Sequence, residues 1–171
     1  MKNYMPLDGL RCSRDSGSAH CDTPKSAVLG RPGGGKFVVL DNGNATIVES
    51  DLRDYKFFCF NGKVRFFKVD FGRFVEHRAN YYLPDCKLLP YGEMVCPPDP
   101  TAEIQMPDNL DRMIELAEKL SAGIPFLRVD LYNVNGRIYF GELTFYPAGG
   151  LSRWTDDKWD QEIGEMLELD T

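Results

Sequence analysis

The 171-residue chain has no apolar run near the roughly 20 residues that a membrane helix needs, and its opening, MKNYMPLDGL, has no signal-peptide core. No membrane span is expected, and the default address is cytoplasmic. Histidine is scarce: His20 and His77 stand alone, without an evident partner for a Ser-His-Asp or Cys-His nucleophile. Cysteine is few and odd in number (Cys12, Cys21, Cys59, Cys86, Cys96), with no C-x-x-C pair. That argues against a disulfide framework, and Cys12 with His20-Cys21 is too irregular for a zinc site. Free thiols are expected.

A surplus of positive charge is also missing. Twenty basic residues face 26 acidic ones, for a net charge of −6. Residues 101–171 hold 6 basic and 14 acidic residues, so the deficit lies in the last third. Phosphate contact by a nucleic-acid binder needs a net basic face, so no nucleic acid is expected as a partner. Lys63, Arg65, Lys68, Arg73 and Arg78 among aromatic strands could in principle stack nucleotides, but the acidity downstream weighs against that reading. An acidic cluster is either a solvated helix face or a set of carboxylates gathered around Mg²⁺.

What is present is organised unevenly. Residues 1–36 are rich in Gly, Ser, Pro and Asp without a sustained period, and read as an irregular leader. Within them Gly30–Lys36, GRPGGGK, satisfies the spacing of a phosphate loop. Phe37 replaces its Ser/Thr, however, and FVVL follows where a helix is needed, so a glycine-rich turn is the better account. Phe37–Leu40 and Ala45–Val48 read as a short hairpin. YKFFCF and KVRFFKV flank Asn61-Gly62, a strong hairpin signal. Ten of the 21 aromatic residues fall between Tyr55 and Tyr82, so this ribbon is expected to carry a large apolar surface.

Prolines 84, 90, 97, 98, 100 and 107 mark a long crossing loop. Leu110, Met113, Ile114, Ala117 and Leu120 recur at helical spacing between a candidate cap at Asp108 and a stop at Gly123. IPFLRVDLYNV and RIYFGELTF form a further hairpin around Asn135-Gly136, and a last helix is expected over about 157–169. The order of strands, helix, strands, helix predicts an α+β fold, mainly an antiparallel sheet with helices packed on one face.

The chemically informative residues are Arg128 and Asp130 on one strand and Glu142 and Thr144 on the next. Charges inside Leu/Val/Tyr/Phe-rich strands are costly to bury unless compensated. Either they neutralise one another at a sheet edge, or Asp130 and Glu142 hold Mg²⁺ while Arg128 meets a phosphate. Alternation puts Arg128, Asp130 and Tyr132 on one face. A two-residue turn at Asn135-Gly136 would set Glu142 opposite Val129, on the wrong face. A three-residue turn, Val134–Gly136, would set it opposite Arg128. The metal reading therefore predicts the three-residue turn.

RVDLYNVNGRIYFGELTFYPAGG resembles the carboxy-terminal signature of ATP-grasp enzymes, in which R-x-D is followed after a hairpin by E-x-N or a variant. With DYKFFCFNGKVRFF, RMIELAEKL and WDQEIGEMLEL, residues 51–168 resemble the TupA-like ATP-grasp family. The resemblance implies the carboxy-terminal subdomain of that fold, a partial ATP-grasp domain over residues 37–171. It also implies ATP and Mg²⁺ as cofactors, and a ligase or transferase acting through an acyl phosphate in cell-surface polysaccharide assembly. Nucleotide and a carboxylate or saccharide-linked substrate are the implied partners.

Carried onto this sequence, Asp130, Glu142 and Thr144 become metal ligands, with Thr144 in place of the commoner Asn. Arg128 becomes the catalytic phosphate contact, and Lys56 and Arg73 become nucleotide contacts. Leu40 stands where the family places a lysine, and the portion that grips nucleotide from the amino-terminal side looks reduced. A catalytically silent module is the alternative that this suggests. The same shortening predicts exposure of Tyr55, Phe57, Phe58, Phe66 and Phe67, and with it self-association or a complementing partner chain.

Overall fold

A computed structural model of the chain describes the backbone of residues 3–6, 26–30, 37–41 and 44–48, together with residues 53–72 and 76–169 in full. Ten strands form one sheet: β1 (Asn3–Pro6), β2 (Ser26–Gly30), β3 (Phe37–Asp41), β4 (Asn44–Val48), β5 (Asp54–Phe60), β6 (Lys63–Phe71), β7 (Arg78–Tyr82), β8 (Leu88–Leu89), β9 (Phe126–Val134) and β10 (Arg137–Thr144). Their order is β4-β3-β2-β1-β10-β9-β5-β6-β7-β8, and every pairing is antiparallel. Two helices, α1 (Leu110–Ser121) and α2 (Asp157–Gly164), complete an α+β architecture.

The 37–48 hairpin is present, and a strand, β3, begins where a phosphate loop would need a helix, while residues 31–36 of the expected glycine-rich turn lie outside the described residues. Within residues 1–36, β1 and β2 are extended and paired into the sheet. Within the proline-rich crossing, β8 pairs briefly with β7. The helix ends also move. Asn109, rather than Asp108, precedes α1 as its cap residue, without a side-chain cap bond. α2 stops at Gly164, five residues short of the expected end, and its cap Asp156 accepts a hydrogen bond from the Lys158 N–H.

Strand alternation divides the sheet into two differently covered faces. One carries Tyr55, Phe57, Val69, Leu127, Val129 and Leu131, against which α1 sets Leu110, Met113 and Ala117. The other carries Phe58, Phe60, Phe66 and Tyr81, closed by Tyr91 and by Trp159 of α2. The helices thus lie on opposite faces, which corrects the expectation of one covered face. Both faces of the β5–β6 ribbon are apolar near its turn, so each needs its own cover.

Exposure of Tyr55, Phe57, Phe58, Phe66 and Phe67 is likewise overturned, since all five are buried at 5% or less. Phe58 stacks on Phe66 with ring centroids 4.6 Å apart. The rings meant to mark an open surface are the core.

Candidate functional site

Two-residue turns close both central hairpins. Asn61 and Gly62 have φ of 50° and 75°, and Asn135 and Gly136 have 51° and 80°. Left-handed pairs of this kind match the twist of the strands they join. Val134 therefore pairs with Arg137, and the three-residue turn required by the metal reading is not formed.

The convergence is reached by another device. Phe140 pairs with Leu131 but Glu142 pairs with Asp130, so Gly141 is an extra, bulged residue. The bulge supplies the one-residue correction that the turn does not, and returns Glu142 and Thr144 to the face of Arg128 and Asp130. A Cβ at Gly141 would stand 2.7 Å from the Asp130 carbonyl oxygen, so the close approach there excludes a side chain.

The β5–β6 ribbon repeats the pattern. Cys59 pairs with Val64 and Phe58 with Phe66, leaving Arg65 bulged and exposed. Lys56 is thereby set opposite Lys68, and Asp54 opposite Asp70. Beyond the aromatic patch, this face of the sheet changes from rings to charges.

Arg128 is the hub of those charges. Its Nε donates to Asp130 Oδ1 at 2.7 Å. Its Nη2 donates to Asp130 Oδ2 at 2.9 Å, Glu142 Oε1 at 2.8 Å and Thr144 Oγ1 at 3.0 Å. The Lys56 ammonium lies 2.5 Å from Asp54, 2.8 Å from Asp130 and 3.7 Å from Asp70. Lys68 lies 3.5 Å from Asp70 and 2.6 Å from Glu93. A continuous line of opposed charges thus crosses β10, β9, β5 and β6.

Most of this line is withdrawn from water. Asp54, Asp70, Asp130 and Lys68 are buried, whereas the Glu142 side chain is 48% exposed and accessible. Burial raises the Asp130 carboxyl, with Lys56 and Arg128 pulling against it. Burial also works against the charged form of Lys56, but Asp54, Asp130 and Asp70 outweigh it and the ammonium is raised. Arg128 is raised in the same way, its burial outweighed chiefly by Asp130.

A cleft of about 490 Å³ opens beside this line, walled by Lys56, Lys68, Asp70, Glu93, His77 and Arg128. Pro147 and Ala148 of the loop after β10 form part of its rim.

Of the residues singled out from sequence, Lys56, Arg128, Asp130, Glu142 and Thr144 come together. Arg73 lies outside the described residues. Asp54, Asp70 and Glu93 were missed, Lys68 was singled out only for the nucleic-acid reading, and His77, read as lacking a partner, has Cys96 and Asp70. Lys63 and Lys68 are paired with Glu118 and Glu93, and Arg78 with Glu76.

The oxygen donors suit a hard cation such as Mg²⁺: two carboxylates and a hydroxyl converge on one point, which the Arg128 Nη2 now holds. An antiparallel α+β sheet with carboxylates and cations clustered beside a cleft is compatible with a domain of the ATP-grasp type, and the family match supplies the assignment. The chain belongs to the TupA-like ATP-grasp family, whose model matches residues 36–168. No curated protein and no solved structure matches it. No helix among the described residues is long and apolar enough to cross a membrane.

Proposed function

We propose that the chain is an ATP-Mg²⁺-dependent ligase or transferase domain that activates a carboxylate as an acyl phosphate. The observation carrying this reading is the convergence of Asp130, Glu142 and Thr144 on the Arg128 Nη2 at the wall of the cleft. Asp130, Glu142 and Thr144 are the residues that would hold Mg²⁺, which supplies charge neutralisation between phosphates. Lys56, Lys68 and Arg128 offer cations to phosphate oxygens along the same wall.

In the proposed reaction the γ-phosphoryl group of ATP passes to a substrate carboxylate oxygen and ADP departs. An amine or hydroxyl then displaces phosphate from the acyl carbon. The division into residues 1–36 and a partial ATP-grasp unit over 37–171 is part of this proposal. So are the role of Arg73, a cytoplasmic location, and service in bacterial capsule or cell-wall polysaccharide assembly. The family membership supports them.

A second reading, a catalytically silent binding module, is favoured by one observation. Both oxygens of Asp130 are already capped, by Arg128 and Lys56. Isothermal titration separates the two. The enzyme reading expects ATP-Mg²⁺ to bind the wild type and Asp130→Asn to weaken it by more than about 10-fold, the scale for disturbing a metal site. Absence of nucleotide binding would overturn it in favour of the silent module.

A further inference from the structure

His77, left without a role by the nucleotide reading, stands between two other good metal ligands. Its Nε2 is 3.5 Å from Asp70 Oδ1 and 3.7 Å from Cys96 Sγ. One donor atom from each of the three side chains lies within 4.8 Å of the others. For tetrahedral zinc with Zn–S near 2.3 Å and Zn–N and Zn–O near 2.1 Å, ligand atoms are spaced at about 3.4–3.6 Å. The Asp70 distance at Nε2 falls at that spacing and the Cys96 distance 0.1 Å beyond it, and an ion would draw the Asp70 and Cys96 donors, held within 4.8 Å of each other, to about 3.6 Å.

The donors also match in kind. A thiolate, an imidazole and a carboxylate select a borderline-soft ion such as Zn²⁺ and disfavour Mg²⁺, which takes oxygen ligands. This separates the cluster from the all-oxygen set at Glu142, on the other side of the Lys56 and Lys68 ammonium groups.

The scaffold holds the three in place. Asp70 and Cys96 are buried. The 96–99 segment is strapped to β7 by Asn80, which donates to the Asp99 carbonyl at 2.6 Å and accepts from the Asp99 N–H at 2.9 Å. The Glu76 N–H donates to the Gly72 carbonyl at 2.9 Å, tying the start of the connection to the residue before His77. Lys68, 3.5 Å from Asp70, opposes a cation there, but its shorter contact is the 2.6 Å pair with Glu93, which keeps the ammonium engaged elsewhere.

We infer that Asp70, His77 and Cys96 form a binding site for Zn²⁺ or a similar ion at the cleft wall, with its fourth coordination position open toward the cleft. Asp70 and His77 both line that cleft, so the open position can take water or an anionic oxygen of the cleft's occupant.

The test uses the full chain without nucleotide, so its failure leaves the ATP reading standing and the converse also holds. Titration with Co²⁺ alone is expected to give a thiolate-to-cobalt charge-transfer band that saturates at one equivalent, and Zn²⁺ should abolish it by displacement. Cys96→Ser should remove the band, and His77→Asn should weaken Zn²⁺ binding by more than about 100-fold, beyond the usual cost of losing a supporting contact. A variant lacking Cys12, Cys21 and Cys86 should keep the band. No band in the wild type, a band surviving in Cys96→Ser, or one lost with those three cysteines would each overturn the inference.

Discussion

Replacing Gly141 by Ala tests whether the β10 bulge builds the site. The added Cβ would meet the Asp130 carbonyl oxygen at 2.7 Å, its carbon at 3.2 Å and Tyr132 Cε2 at 3.1 Å. Two of these neighbours are backbone and cannot swing aside. Ordinary contact begins near 3.4 Å, so β10 must retreat from β9 by about 0.7 Å. Glu142 and Thr144 move with it, and their 2.8 and 3.0 Å bonds to Arg128 stretch to about 3.5–3.7 Å, where a hydrogen bond is effectively lost.

Overpacking costs about 1–3 kcal/mol, and the stiffer unfolded chain returns about 0.4–1 of it. A net loss of about 1–2 kcal/mol lowers Tm by about 2–8 °C at this chain length. Urea melts should show a lower midpoint at unchanged slope, with weakened ATP-Mg²⁺ binding by calorimetry. Gly136→Ala is the control: its Cβ meets nothing within 4 Å, so only the left-handed φ of 80° is strained and nucleotide binding should be spared. A Gly141→Ala protein with wild-type midpoint and wild-type affinity would refute the reasoning.

Two further outcomes follow from the charges. Lys56→Met strips the nearest cation from Asp54 and removes one of the two caps on Asp130, both buried, and should cost about 3–5 kcal/mol in a denaturant melt. A loss below about 1 kcal/mol would mean that the acids find other partners. On the exposed side of α1, Lys119 and Arg112 hydrogen-bond Glu115 and hold its carboxyl at about 2, against an ordinary 4.5. A folded-state value below the unfolded one adds stability above pH 4.5 that is lost as pH falls toward 2. Glu115→Gln should flatten that part of the acid-stability curve, and an unchanged slope would assign it to other carboxylates.

Both Asn-Gly hairpins, the 37–48 hairpin and the apolar stripe of α1 were legible because turn chemistry and periodicity are local properties. The partners across each ribbon were not. Counting back from Asn61-Gly62 without a bulge sets Lys56 opposite Phe67 and turns Lys68 to the other face. Counting from Asn135-Gly136 does the same to Glu142. In each ribbon one extra residue, Arg65 or Gly141, reverses the parity.

Gly141, an isolated glycine inside a strand pattern, was a readable sign of a bulge; Arg65 carries no such sign. The R-x-D and E-x-T pairs were therefore found for the right face by the wrong turn. Asp70 was missed, and Lys68 singled out only for the nucleic-acid reading, because their value depends on that parity. The pairing of His77 with Cys96 was missed because β7 joins them to the site through a loop no periodicity predicts.

The charge balance of the cleft restricts what can bind there. Among the described residues, the Arg128, Lys56 and Lys68 cations, which line the cleft with Asp70 and Glu93, are interleaved with Asp54, Asp130 and Glu142 behind or beside it, so acids outnumber bases along the whole line of charges though not among the lining residues. A bare polyphosphate approaching that line would add negative charge to its excess of carboxylates, in a setting where burial strengthens repulsion. A polyphosphate carrying divalent cations would not. On the proposed function, Asp130, Glu142 and Thr144 would hold that metal, which would supply charge neutralisation, and Arg128 would be the cation left for phosphate. On that proposal, the excess of carboxylates along β5, β6, β9 and β10 favours a nucleotide that arrives with its metal over one that arrives bare.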